Sequence, residues 1–179
     1  IIQGATDKVH LVPFGEYLPF ADFFERFGLH AIAQADRGYS AAATRRPLEV
    51  AGLKIMPLIC YEAIFPDNSV PVDLILNVTN DAWFGNTPGP YQHMHQARLR
   101  AVENGVPLIR VANNGISGVF DPHGRPVSWI AYGERGAVDV TLAVTSSPTG
   151  YMFGTTYNFW FIISLMVAIG CIGSFRTKH

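Results

Sequence analysis

Short apolar runs alternate with turn residues up to residue 139, and their spacing predicts strands alternating with helices. Residues 53–60 (LKIMPLIC) and 72–78 (VDLILNV) are continuous enough in Val, Ile and Leu to be strands buried within a sheet. The period changes over 91–104 (YQHMHQARLRAVEN), where Met94, Ala97, Ala101 and Val102 gather on one helical face and Gly105 follows as a C-terminal cap. Pro107 then opens a strand over 108–112. Residues 116–120 and 126–130 flank Asp121-Pro122-His123-Gly124, a Pro/Gly turn that predicts a hairpin. Near the start, residues 8–12 alternate, which places Lys8, His10 and Val12 on one face of a predicted strand ending at Pro13-Phe14-Gly15-Glu16-Tyr17. The pattern is that of an α/β chain without internal repeats or low-complexity segments.

After Asp139 the pattern is different. No Asp, Glu, Lys, Arg or His occurs before Arg176, and residues 159–175 (FWFIISLMVAIGCIGSF) are almost wholly apolar. From Thr155 the uncharged run is 21 residues long, close to the roughly 20 that cross a bilayer. Asn158 falls near one end; Tyr151, Phe153, Tyr157 and Trp160 gather there, and Arg176, Lys178 and His179 follow the run. An aromatic belt on one side and positive charge on the other predict one C-terminal transmembrane helix over 155–175, a cytoplasmic tail over 176–179, and residues 1–150 on the opposite side. The alternative is a buried terminal helix of a globular domain.

Composition agrees with part of the chain lying in lipid. Hydrophobic residues make up 49% of the 179 positions and charged residues 15%, against about 25% charged in soluble domains. Thirteen Lys and Arg against 14 Asp and Glu give a net charge of −1, and without a clustered basic excess nucleic acid is not an expected partner. Cys60 and Cys171 are too few for a disulfide framework. Because the chain opens Ile1-Ile2-Gln3 and reaches its first methionine at Met56, it reads as a fragment of a longer protein.

Candidate chemistry centres on Cys60, which ends an apolar strand directly before Tyr61-Glu62. A strand end can hold a thiol at the rim of a sheet, where a nearby cation or base would activate it. From position alone the structural reading of a buried cysteine comes first; Cys171, inside the apolar run, reads as a packing residue. Lys8 is positioned to favour a thiolate and to stabilise an oxyanion, with Glu16 able to orient it, though a solvated Lys and loop Glu satisfy the same pattern. His93 and His95 lie two apart on the helix, lack the spacing of a helical zinc pair, and support no metal site. Phe14, Tyr17, Leu18, Phe20, Phe23, Phe24 and Phe27 form a dense aromatic stretch, read either as a membrane-interface segment or as core.

Taken in order, Lys8 with HLVPFGEY (10–17), LICYE (58–62), NDAWFG (80–85), QARLRAVENGVPLIR (96–110) and NNGISGV (113–119) resemble the C-terminal part of the apolipoprotein N-acyltransferases of the nitrilase, or carbon-nitrogen hydrolase, superfamily. The resemblance extends over essentially the whole chain. It implies a partial nitrilase-like α-β-β-α sandwich followed by the transmembrane helix, with Cys60 as nucleophile, Lys8 as the lysine of a Glu-Lys-Cys triad and Glu16 as the glutamate that supports it. It also implies Tyr61 and Glu62 as neighbours shaping the substrate site, the Tyr61 N–H as an oxyanion donor, and Trp83 lining the acyl-chain entry.

The implied reaction moves a fatty acyl group from a phospholipid to Cys60 as a thioester, then to the N-terminal α-amine of a diacylglyceryl apolipoprotein. No cofactor is expected, since the thioester stores the activation. The implied location is the bacterial inner membrane, with the catalytic domain on the periplasmic side. The family's general-base glutamate lies well upstream of the lysine, and no Glu precedes Lys8 here; the chain alone is therefore expected to be inactive. Two rival readings are an amidase of the same superfamily that uses water as acceptor, against which the charge-free tail speaks, and a non-catalytic membrane-anchored fragment.

Overall fold

The computed structural model describes residues 4–20, 23, 26–27, 39–66, 70–144, 149, 151 and 155–176. Its centre is one mixed six-stranded sheet in sequential order: β1 (Leu48–Val50), β2 (Leu53–Ile59), β3 (Leu74–Asn80), β4 (Leu108–Asn113), β5 (Ser117–Phe120) and β6 (Pro126–Ile130). β2, β3 and β4 run parallel and the outer pairings are antiparallel. The two apolar runs predicted as buried strands are thus the parallel centre of the sheet, where both faces need cover. β1 escaped the sequence pattern because it is three residues long; it joins β2 through Ala51-Gly52, both at positive φ, the backbone that lets a two-residue hairpin follow strand twist.

Between β3 and β4 the chain crosses over through α1 (Gly89–Asn104), which begins with Pro90 inside its first turn and stops at Gly105, whose φ of 65° suits a residue without Cβ. The buried face of α1 carries His93, Met94, Ala97, Arg100, Ala101 and Asn104. Met94, Ala97 and Ala101 are as expected, whereas Val102 is turned out and 42% exposed. Ala97 and Ala101 let the helix lie close on the sheet, over Met56, Leu58, Ile75, Leu108 and Phe120. Register puts Met56 beside Ile75 and Ile75 beside Leu108, so this core is one stripe across the three parallel strands. On the opposite face Val78 and Val111 remain about half exposed, so one sheet with one covering helix makes up the described part of the expected sandwich.

The strand expected over 8–12 does not form. Its alternation is real, but the N–H groups of Val9 and His10 bond the Glu62 carboxylate at 2.7 and 3.2 Å instead of a neighbouring strand.

α2 (Thr155–Arg176) begins at the expected residue and takes in Arg176, one residue beyond the helix expected over 155–175. Its described side chains, 158–169, are exposed throughout, with Trp160 at 62% and Met166 at 65%. Yet among the described residues no helix is long and apolar enough to cross a membrane, and the expected span is not borne out at this level. The side chains of Tyr157 and Cys171, and residues Phe24, Phe153, Lys178 and His179, lie outside the described residues.

Candidate active site

β2 ends at Ile59, and Cys60 turns the chain into a 3₁₀ helix, Cys60–Ile64. Cys60 has φ +52°, a left-handed conformation that costs a residue with a Cβ about 1–2 kcal/mol. It persists because its surroundings determine it. The carboxylate of Glu62, 1% exposed, accepts from the Ile59 N–H at 2.7 Å, the Val9 N–H at 2.7 Å and the Arg45 guanidinium at 3.1 Å. Burial alone would raise the Glu62 carboxyl, but these donors outweigh it and hold it below its ordinary value. Glu62 therefore ties the 8–12 segment to the corner that carries Cys60, and it does not border the cavity described next.

Cys60, Tyr61, Glu16 and Trp83 line one cavity of about 690 Å³, walled mostly by Val12, Pro13, Phe14, Ile64 and Phe84. Four of the six residues expected at the site thus meet in one place. Trp83 stands at its rim, 82% exposed, on a 3₁₀ turn spanning Ala82–Phe84. Lys8 lies behind Glu16. Its Nζ donates to both carboxylate oxygens, at 2.7 and 2.6 Å, with 10% of its side chain exposed. Glu16 is fixed in turn by the Val12 N–H, 2.8 Å from Oε2, within the tight turn Val12–Tyr17. Tyr61 separates this cavity from a smaller one beside His10 and Phe65, whose rings stack at 4.2 Å.

Beneath Cys60 lies a buried polar chain that the sequence reading did not find. Arg110, 1% exposed on β4, donates to the Asp81 carboxylate at 2.6 Å, to the Ile116 carbonyl at 3.2 Å and to the Asn77 side-chain oxygen. Asp81, fully buried, also accepts from Thr79 Oγ1 at 3.1 Å and bonds His93 Nδ1 at 2.8 Å. His93 Nε2 stands 3.1 Å from the Cys60 carbonyl oxygen. Burial would raise the Asp81 carboxyl, but the His93 hydrogen bond and the Arg110 charge hold it below its ordinary value. Gly115 passes so close that a Cβ there would lie 2.3 Å from Asp81 Oδ2, so only glycine leaves the carboxylate its place. The available signal was Arg110 inside an otherwise apolar strand, for a lone charge at a core position implies a buried partner.

The molecule can thus present a thiol at a strained strand-to-turn corner, open to an apolar cavity, with the Glu16 carboxylate at its edge and the Lys8 ammonium behind that carboxylate. Comparison with known proteins agrees with that architecture. The chain is 52% identical over 177 residues to the apolipoprotein N-acyltransferase of Rhizobium rhizogenes and 50% identical over 182 residues to that of Rhizobium meliloti, each match covering 96% of this chain. It spans about a third of the length of these relatives, 33% and 34%. Among solved structures, the NitN amidase from Nesterenkonia sp. AN1 superposes with a TM-score of 0.53 at 22% identity, over 85% of this chain and 55% of that one. A carbon-nitrogen hydrolase from Helicobacter pylori gives 0.52 at 16% identity, over 73% and 49%. Since the model of the carbon-nitrogen hydrolase family matches residues 1–147, the chain belongs to that family.

Proposed function

We propose that this chain carries the nucleophile half of an acyltransferase site that moves a fatty acyl group from a phospholipid to the N-terminal α-amine of a diacylglyceryl apolipoprotein. The observation that carries the reading is the cavity: Cys60 opens into about 690 Å³ walled largely by apolar side chains, a lining suited to an acyl chain. The Cys60 thiolate attacks the ester carbonyl of the phospholipid, and the tetrahedral oxyanion is met by Lys8 and the Tyr61 N–H. Its collapse expels the lysophospholipid alkoxide, which takes up a proton, and leaves a thioester on Cys60. The acceptor amine then attacks the thioester, amide forms, and the thiolate is released. The proton from thiol and amine goes to a general-base glutamate, which the family resemblance puts upstream of Lys8.

Incubating the full-length protein with phospholipid alone should leave an acyl thioester on Cys60 that mass spectrometry locates. Label persisting in Cys60→Ser, or found on Cys171, would sink the assignment. Adding a diacylglyceryl peptide should discharge the thioester to the amine; discharge to water alone would favour the rival amidase reading.

The exposed apolar sides of α2 support a membrane location, because a helix apolar all round needs either a protein core or lipid. In this reading α2 anchors the protein in the bacterial inner membrane, with residues 1–150 on the periplasmic side. A reporter fused after His179 should then be active in the cytoplasm; a periplasm-active fusion would reverse the orientation.

A further inference from the structure

α1 holds both ends of the 3₁₀ turn that presents the nucleophile. His93 and Arg100 are seven residues apart, hence on one helix face, and both are at most 6% exposed. Arg100 donates to the Ile64 carbonyl at 3.3 Å, at the end of the turn, while His93 Nε2 meets the Cys60 carbonyl at 3.1 Å, at its beginning. The carbonyl that His93 engages belongs to the residue whose φ is +52°. An α1 side chain thus bonds the strained peptide of the nucleophile itself.

We propose that His93 is a positioning residue for Cys60: clamped by Asp81 on one ring nitrogen, it fixes the nucleophile's backbone through the other. The ring meets the Asp81 carboxylate at Nδ1 and the Cys60 carbonyl at Nε2, and the Arg110 guanidinium also stands 3.4 Å from Nδ1. Arg110 secures Asp81 at 2.6 Å, and Thr79 Oγ1 adds 3.1 Å to the other carboxylate oxygen. The chain Arg110–Asp81–His93 therefore ends on the Cys60 peptide, at the wall of the cavity that His93 itself helps to line. Without the last bond, the Glu62 contacts still hold the start of the turn but the Cys60 carbonyl loses its restraint, so the strained peptide can shift and move the sulfur relative to the substrate carbonyl. Misplacement of about 1 Å at a reacting centre is enough for a loss of about 10²-fold.

Two amides separate this role from simple anchoring of the helix, in a test that rests on the acyl-transfer reading for one of its two measurements. The amide nitrogen of His93→Asn falls near Nδ1 and can reach Asp81 but not Cys60, whereas that of His93→Gln falls near Nε2 and can reach the Cys60 carbonyl. In the full-length protein, His93→Asn is expected to lower the kcat for acyl transfer about 10²-fold with KM within about twofold. His93→Gln should stay within about fivefold of wild type, although both variants lose comparable thermal stability. Alkylation of Cys60 by iodoacetamide, which needs no acyl donor, should rank the variants in the same order. Equal losses in the two variants, or losses that follow their melting temperatures, would overturn the proposal. So would a Gln variant that folds like wild type but alkylates as slowly as the Asn variant, and this comparison stands against wild type alone should the Asn variant not fold. If wild type alkylates at Cys60 yet transfers no acyl group, the acyl-transfer reading fails, and the alkylation order still decides for or against His93.

Discussion

Replacing Arg110 with methionine is expected to destabilise the fold by about 3–5 kcal/mol at pH 7, the usual consequence of stranding one partner of a buried ion pair. Methionine fills much of the volume of the arginine stem, so a cavity is not the main cause. The loss comes from Asp81, which has no exposure to solvent and loses its cationic partner at 2.6 Å. Asn77 and the Ile116 carbonyl lose their donor in the same step. The pH dependence separates charge from packing. In the wild type the folded Asp81 carboxyl is held below its ordinary value of 3.8, so its contribution is present above that pH and is lost as pH falls through the lower folded value. Without Arg110 the His93 hydrogen bond still lowers the carboxyl, but burial is offset less, so the folded value rises relative to wild type and the variant's penalty shrinks as acid protonates Asp81. The gap between wild type and Arg110→Met, read from denaturant midpoints, should therefore narrow from pH 7 towards pH 4. A gap that stays constant would assign the loss to packing, and a variant as stable as wild type at pH 7 would remove the pair from the account of the site.

How much of this was legible in the sequence depends on the range of the interaction. Elements whose signal is local came out nearly in register: β2 and β3 from continuous apolar runs, β4 from the strand opened by Pro107, the β5–β6 hairpin from Asp121-Pro122-His123-Gly124, and the end of α1 from Gly105. The segment over 8–12 misled because alternation states which side chains share a face, not what the backbone bonds; there the N–H groups went to a side chain 53 residues away, Glu62. Cys60, Tyr61, Trp83 and Glu16 were singled out through family resemblance, and the fold brings them to one cavity. The polar chain beneath them stayed hidden because its members, Asn77, Asp81, His93 and Arg110, come from two strands, a loop and a helix. No window of sequence holds them together. His93 looked like an ordinary helical histidine considered only against His95, while its partner was 33 positions upstream, at Cys60.

The second large effect concerns Lys8 and Glu16, and it follows from their geometry rather than from either residue alone. Two N–H groups of the Lys8 ammonium are spent on the carboxylate at 2.7 and 2.6 Å, and in the proposed mechanism the third is the one that meets charge developing on a substrate. In Lys8→Met the oxyanion loses that donor, and the acylation rate of Cys60 in the full-length protein should fall about 10²–10³-fold, the scale set by removing one preorganised donor. Glu16→Gln keeps the shape, and its amide oxygen can still accept from the Val12 N–H, but only one of the two bonds to Lys8 survives. Its loss should be smaller, about tenfold, because the ammonium remains while its aim is relaxed. If Glu16 acts only through Lys8, the double variant should be no slower than Lys8→Met, since residues working as a unit are not additive. Single-turnover acylation measured for all four proteins closes the cycle. Full additivity would show that Glu16, which itself borders the cavity, acts on substrate independently of the lysine, and an unaffected Lys8→Met would take the oxyanion away from this side of the site.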